Sequence, residues 1–192
     1  MFADLAGTDD GLRDAKYSSR DAFKVGSAKL TVTKMATPVC DPFNGNTVPK
    51  NIPGSYVNYT ITIANASTAA SSAILGIVSD PLSTALTFDT EMIVGATAGA
   101  CTTVALGGVR NDPSGNVKVV QTNRTIAAFK TSSSADSDGV ALTVSGLIST
   151  LTIDFGTVLP LVGPYAAGEL KAGESVTVSF QARINQAAIA PC

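Results

Sequence analysis

A serine or cysteine nucleophile needs a base held beside it, and this chain of 192 residues has no histidine. The usual catalytic triads are therefore excluded, and a Ser–Lys pair is the one formal arrangement left. Glycoside hydrolysis needs two facing carboxylates. Here the acidic residues sit where turn chemistry asks for them: Asp80 and Asp112 precede prolines, and Asp136 and Asp138 fall in the polar run 131–138. Neither a GxGxxG loop nor a P-loop occurs. The sequence predicts a protein that is not an enzyme and takes no cofactor.

Metal chemistry is thinly supplied as well. Cys40, Cys101 and Cys192 form no CxxC pair, and no histidine can join them around zinc. Asp41, Asn44 and Asn46 share one loop, and oxygen-rich loops hold calcium. The EF-hand spacing is missing, and ordinary Asx-turns account for the same three residues. No metal is expected. Three N-x-S/T sequons occur, at Asn58, Asn65 and Asn123. Asn58 falls in the middle of a strand-like run, whereas Asn65 and Asn123 fall at connections, where a glycan has room.

The elements that must position these residues read as β-structure. Apolar residues make up 45% of the chain but aromatics only 6%, and tryptophan is absent, so the core is built from small and β-branched side chains. Charged residues reach 15% and the net charge is −2, which leaves no basic field for nucleic acid. A surface so poor in charge favours assembly. No continuous apolar run is long enough to span a bilayer, so no membrane insertion is expected. Residues 1–20 carry no apolar signal-peptide core.

Residues 1–27 are polar and charge-rich and read as an arm or linker, with Tyr17, Phe23 and Val25 in the stretch that is able to extend. From residue 28 the pattern alternates. Strands are expected over 28–35, ended by Thr37-Pro38, and over 55–64. Others are expected over 73–79, ended by Asp80-Pro81, and over 86–94. A short strand is expected over 101–105. The runs 117–122 and 125–130 flank Asn123-Arg124 as a hairpin. Strands follow over 140–145, 147–155 and 175–184, with an irregular stretch over 159–168. No helical stripe is convincing; 12–25 is the nearest to one. About seven to ten short strands, punctuated by turns, predict an all-β sandwich over 28–192 with an extended N-terminal arm.

Several of these runs resemble one family. KLTVTKM (29–35), DPFNGNTVPKNIPG (41–54), SYVNYTITIAN (55–65) and VSDPL (78–82) followed by LTF (86–88) are similar to the DUF11 domains of bacterial and archaeal surface proteins. Residues 174–184 resemble the closing strand of that family, and the match runs over 28–185. Ser83 stands where the family has a second proline, so that loop is expected to differ. Residues 2–25 resemble what precedes such domains in longer secreted proteins. The resemblance implies an immunoglobulin-like sandwich, an extracellular or cell-surface location, and a structural role without catalytic residues.

In an immunoglobulin-like sandwich the first strand often runs parallel to the last. Cys40 and Cys192 then leave the same end of the domain, which favours a Cys40–Cys192 disulfide. Cys40–Cys101 is the second pairing. No disulfide, or a link between chains through the odd thiol, remains open. The function expected is a structural subunit of an extracellular filament or surface layer. Its partners would be copies of itself, joined by strand donation from the arm through Tyr17, Phe23 and Val25. The alternative is a monomeric spacer or adhesin-like module of a larger surface protein.

Overall fold

Two runs of strict alternation, 55–64 and 175–184, build the centre of the molecule. A computed structural model describes residues 26–90 and 115–185. In it the first run becomes β2 (Tyr56–Asn65) and the second β11 (Ser175–Ile184), paired antiparallel from Ser175↔Ala64 to Arg183↔Tyr56. Val57, Ile61 and Ile63 of β2 share the inner face with Val176, Val178, Phe180 and Ala182 of β11, and all are buried. Thr60, Thr62, Thr177 and Ser179 occupy the outer face. Period-2 alternation thus reads as one face in and one face out.

Around this pair the larger sheet runs β1 (Leu30–Cys40), β2, β11, β6 (Val117–Gln121), β7 (Ile126–Lys130), with β5 (Leu86–Phe88) also on β11. A second sheet is built from β4 (Ile77–Pro81), β9 (Ile148–Asp154) and β8 (Val140–Ser145), in that order. Two short strands, β3 (Ala73–Ile74) and β10 (Glu169–Leu170), pair with each other. The inner faces meet in one core, where Val117, Val119, Val178 and Phe180 pack with Val140, Leu151 and Ile153. Each such side chain contributes roughly 1.5–3 kcal/mol by leaving water. Phe180 lies at the centre, stacked on Tyr59 at 5.4 Å and on Phe88 at 5.6 Å. The fold is an all-β sandwich.

Several boundaries differ from those read in the sequence. β1 does not stop at Thr37-Pro38 but continues to Cys40. Proline is tolerated because β1 is the edge of its sheet, where a missing N–H interrupts no ladder; a bulge follows between Pro38 and Cys40. The single strand expected over 73–79 is two strands, β3 and β4, separated at Leu75-Gly76 and paired to different partners. At this step Gly168, at φ +69°, brings its carbonyl to 2.8 Å from the Leu75 N–H. A Cβ on Gly168 would lie 2.5 Å from the Leu75 carbonyl oxygen, so only glycine fits. The end of the expected 147–155 strand turns into a single helical turn, α1 (Phe155–Val158), capped by Asp154, whose carboxylate accepts from Gly156 N–H at 2.9 Å. The hairpin over 117–130 closes through a 3₁₀ turn at Thr122–Arg124, with Thr125 at φ 57°. The expected strand at 101–105 and residues 91–94 of the one over 86–94 lie outside the described residues; the described part of the latter is strand only over Leu86–Phe88.

Arg124 then pins the irregular stretch expected over 159–168. It donates to the carbonyls of Leu159 (3.3 Å), Pro160 (2.7 Å), Ala166 (2.9 Å) and Glu169 (2.6 Å). Its guanidinium lies 4.4 Å over the Tyr165 ring, and Lys171 Nζ lies 4.0 Å from the same ring. The Tyr165 hydroxyl donates to buried Glu174 at 2.5 Å, and that bond, more than burial, pushes the phenol up.

Candidate assembly surface

β1 is 11 residues long and sits at the end of its sheet. Its inner-face residues continue the row of the core: Val32 opposes Ile63, Lys34 opposes Ile61 and Ala36 opposes Tyr59. Yet residues 30 to 37 are exposed on both faces. Val32 is 64% exposed and Met35 65%. The second sheet therefore stops short of β1 and leaves this side of the sandwich open.

The ladder phase shows which backbone groups look outward. Ala66 N–H donates to the Lys29 carbonyl at 2.9 Å, and Leu30 faces Asn65. In an antiparallel pair the bonded and non-bonded positions alternate. Residues 29, 31, 33, 35 and 37 thus turn their N–H and C=O toward β2, while Leu30, Val32, Lys34 and Ala36 turn theirs away from it. Pro38 follows in the outward set, where its missing donor is harmless.

Among the described residues one polar contact crosses the open side. Lys34 Nζ of β1 donates to both carboxylate oxygens of Asp80 on β4 at 2.7 Å. The ammonium also lies 5.0 Å from the centre of the Tyr59 ring and 5.9 Å from that of Phe180, so it covers the end of the aromatic stack. Burial, and after it the Asp80 charge, push the Tyr59 phenol up. Sequence reading missed this pair. A lysine on the inner face of an alternating strand is the signal that would have found it.

The end of the sheet that carries Cys40 is closed. Cys40 and Arg183 flank Tyr56 on either side, so β1 and β11 do run parallel and finish together. Cys40 is buried and disulfide-bonded; Cys101 and Cys192 lie outside the described residues. Beside it Asp41 is buried and takes four donors: Phe43 N–H (2.8 Å), Asn44 N–H (2.6 Å), Asn44 Nδ2 (2.9 Å) and Lys50 N–H (2.8 Å). The Asn44 N–H, ahead of the other donors, holds its carboxyl down at about 2. These bonds occupy the lone pairs that a calcium ion would need, and the loop is an Asx-turn. Among the described residues no cluster of three potential metal ligands occurs.

The two favoured glycan acceptors part company. Asn65 is 1% exposed. Its Oδ1 accepts from Lys29 N–H at 2.9 Å, and its Nδ2 donates to the carbonyls of Ser71 (3.0 Å) and Leu170 (3.1 Å). Asn65 joins three segments and has no room for a sugar, which corrects the sequence expectation. Asn123 is exposed at the hairpin tip. Asn58 accepts from Gln181 Nε2 at 2.9 Å. Tyr17, Phe23 and Val25 of the expected arm, and the weak helical stretch 12–25, lie outside the described residues. Gly26 and Ser27 do not: Ala70 N–H donates to the Ser27 carbonyl at 3.0 Å.

Beside β7 lies a shallow depression of about 350 Å³, lined chiefly by Ile126, Ala127, Val158, Pro160 and Val162, with Lys130 its sole charged residue. It offers no acid–base pair. No helix among the described residues is long and apolar enough to cross a membrane.

No protein-family model matches the chain, and no curated protein matches it. Among solved structures it is similar to the pilus backbone RrgB of Streptococcus pneumoniae, with 17% identity and a TM-score of 0.38. That match covers 84% of this chain and 48% of the other, so the chain spans about half the length of that protein.

Proposed function

We propose that this chain is a structural subunit of an extracellular, cell-surface assembly, a homopolymer in which one copy donates a strand to the next. The observation that supports it is β1: an 11-residue edge strand, exposed on both faces over residues 30–37, with outward backbone groups that no described residue pairs. Natural sheets blunt or cover such edges, because an open one recruits another chain. The low share of charged residues and the resemblance of 29–88 to DUF11 surface domains agree with this role. The reading assigns the chain no reaction.

Negative-stain electron microscopy of the purified chain, with and without reductant, tests it. Regular fibres are expected, and removing residues 1–26 should abolish them while leaving a folded monomer. A full-length chain that stays monodisperse at high concentration sinks the reading.

A further inference from the structure

We infer that the acceptor for the donated strand is the outer edge of β1 over Leu30–Ala36, and that its occupant is segment 17–25 of a second copy of this chain. The inference rests on the assembly reading above and adds to it the site and the partner.

Among the described residues four strands end the two larger sheets: β1, β4, β7 and β8. β4 is five residues long and carries Pro81 at its end. β7 and β8 are short, at five and six residues. Their side of the sandwich is also bridged, since Leu142 N–H donates to the Ser132 carbonyl at 2.9 Å and ties the second sheet to the segment that follows β7. β1 is longer and has no such bridge of backbone. Of its blunting devices, Pro38 and the bulge after it sit at its last residues, and the inward-pointing Lys34 is neutralised by Asp80. The stretch before them presents four outward N–H groups and four outward carbonyls, at Leu30, Val32, Lys34 and Ala36, over about 23 Å. Leu30, at 46% exposed, and Val32 stand beside them as uncovered apolar side chains on the inner face.

The occupant follows from the chain that precedes β1. Twenty-five residues come before Gly26. Residues 26–29 are bound alongside 65–70, through Ser27 to Ala70 and Lys29 to Ala66 and Asn65. The chain therefore enters β1 in line with its axis and makes no turn toward the free edge within the described residues. A neighbour's edge is within reach, because nine extended residues cover about 30 Å. Segment 12–25 contains no glycine or proline, so every position has a donor for a ladder. Phe23 and Val25 alternate with Ala22 and Lys24. As a strand the segment turns Phe23 and Val25 to the face of Leu30 and Val32 and leaves Lys24 on the other. Such a contact joins unlike surfaces and propagates head to tail, which builds a fibre wherever its rotation does not close into a ring.

The decisive substitution is Val32→Pro in the full-length chain. It removes an N–H that β2 does not use, so β1 keeps its own ladder, as it does at Pro38. Ala36→Pro is the second variant, should the first unfold. Thermal melts establish that the variant is folded, and light scattering and microscopy read assembly. The expected result is a folded monomer whose assembly needs at least about tenfold more protein. Amide exchange on wild-type fibres should show residues 30, 32, 34 and 36 protected relative to the monomer. If the variants form fibres as readily as the wild type and those amides stay unprotected, β1 is not the acceptor, although the filament reading stands. If the wild type is monomeric with those four amides protected, the arm has folded onto its own β1. In that case both readings fall.

Discussion

Lys34 of β1 and Asp80 of β4 meet at 2.7 Å across the side of the sandwich where no backbone bond between described residues joins the two sheets. The lysine side chain is 38% exposed and the aspartate 13%, so the pair is partly screened by water. Its worth lies in position. It holds an edge strand to the opposite sheet and keeps a cation over Tyr59.

A double-mutant cycle of Lys34→Met and Asp80→Asn should therefore return a coupling of about 1 kcal/mol, near the top of the range for exposed pairs. Added salt should shrink it. Urea unfolding at two ionic strengths is the measurement. A coupling below roughly 0.3 kcal/mol would mean that the two sheets do not depend on this bond.

Asp41 gives the fold an acid-sensitive point. Its folded pKa is about 2, below the ordinary 3.8. A depressed carboxylate contributes stability that is fully present above its unfolded value and is lost as pH falls through the folded value. Unfolding curves between pH 5 and pH 2 should show stability falling from about pH 4 downward. Asp41→Asn should flatten that slope. An unchanged slope in the variant assigns the acid sensitivity to other carboxylates.

Gly168→Ala should destabilise the chain by about 2 kcal/mol or more, since the new methyl group meets the Leu75 carbonyl at a residue with positive φ. Gly146, also at positive φ but with open space around its missing Cβ, is the comparison. Its alanine variant should lose less. Equal losses at the two positions would show that backbone strain alone, and not the Leu75 contact, matters.

Asn65 and Asn123 should separate in two assays. Asn65→Ala removes three hydrogen bonds, one of them fully buried, and should cost about 2–4 kcal/mol. Asn123→Ala should stay within about 0.5 kcal/mol. In a glycosylating host, mass spectrometry should find sugar on Asn123 and none on Asn65. Sugar on Asn65 in a folded sample would contradict its burial.

The sequence was most legible where one face of a strand is buried and the other is wet. Val176, Val178, Phe180 and Ala182 show it, and the expected bounds 175–184 match β11 to the residue. It was least legible where partners decide the structure. Nothing local separates β3 from β4 in a run such as AILGIVS, since the division reflects pairing with Leu170 on one side and Asp154 on the other. Pro38 read as a stop because a proline's position within a sheet is not visible in one dimension. Asn65 looked like a loop acceptor because its three partners lie at Lys29, Ser71 and Leu170, one of them over a hundred residues away. The open edge was half visible. The alternation of β1 was plain, but only the extent of the second sheet reveals that its inner face is uncovered.

The parallel course of β1 and β11 on either side of β2 has a mechanical consequence. Leu30 lies at the Asn65 end of β2, and Arg183 at the Tyr56 end. Tension applied through the chain before β1 and the chain after β11 therefore pulls the two strands lengthwise in opposite directions past β2. The hydrogen bonds of both ladders are loaded together in shear rather than unzipped one at a time, so the domain resists stretching along the axis on which a fibre would carry force.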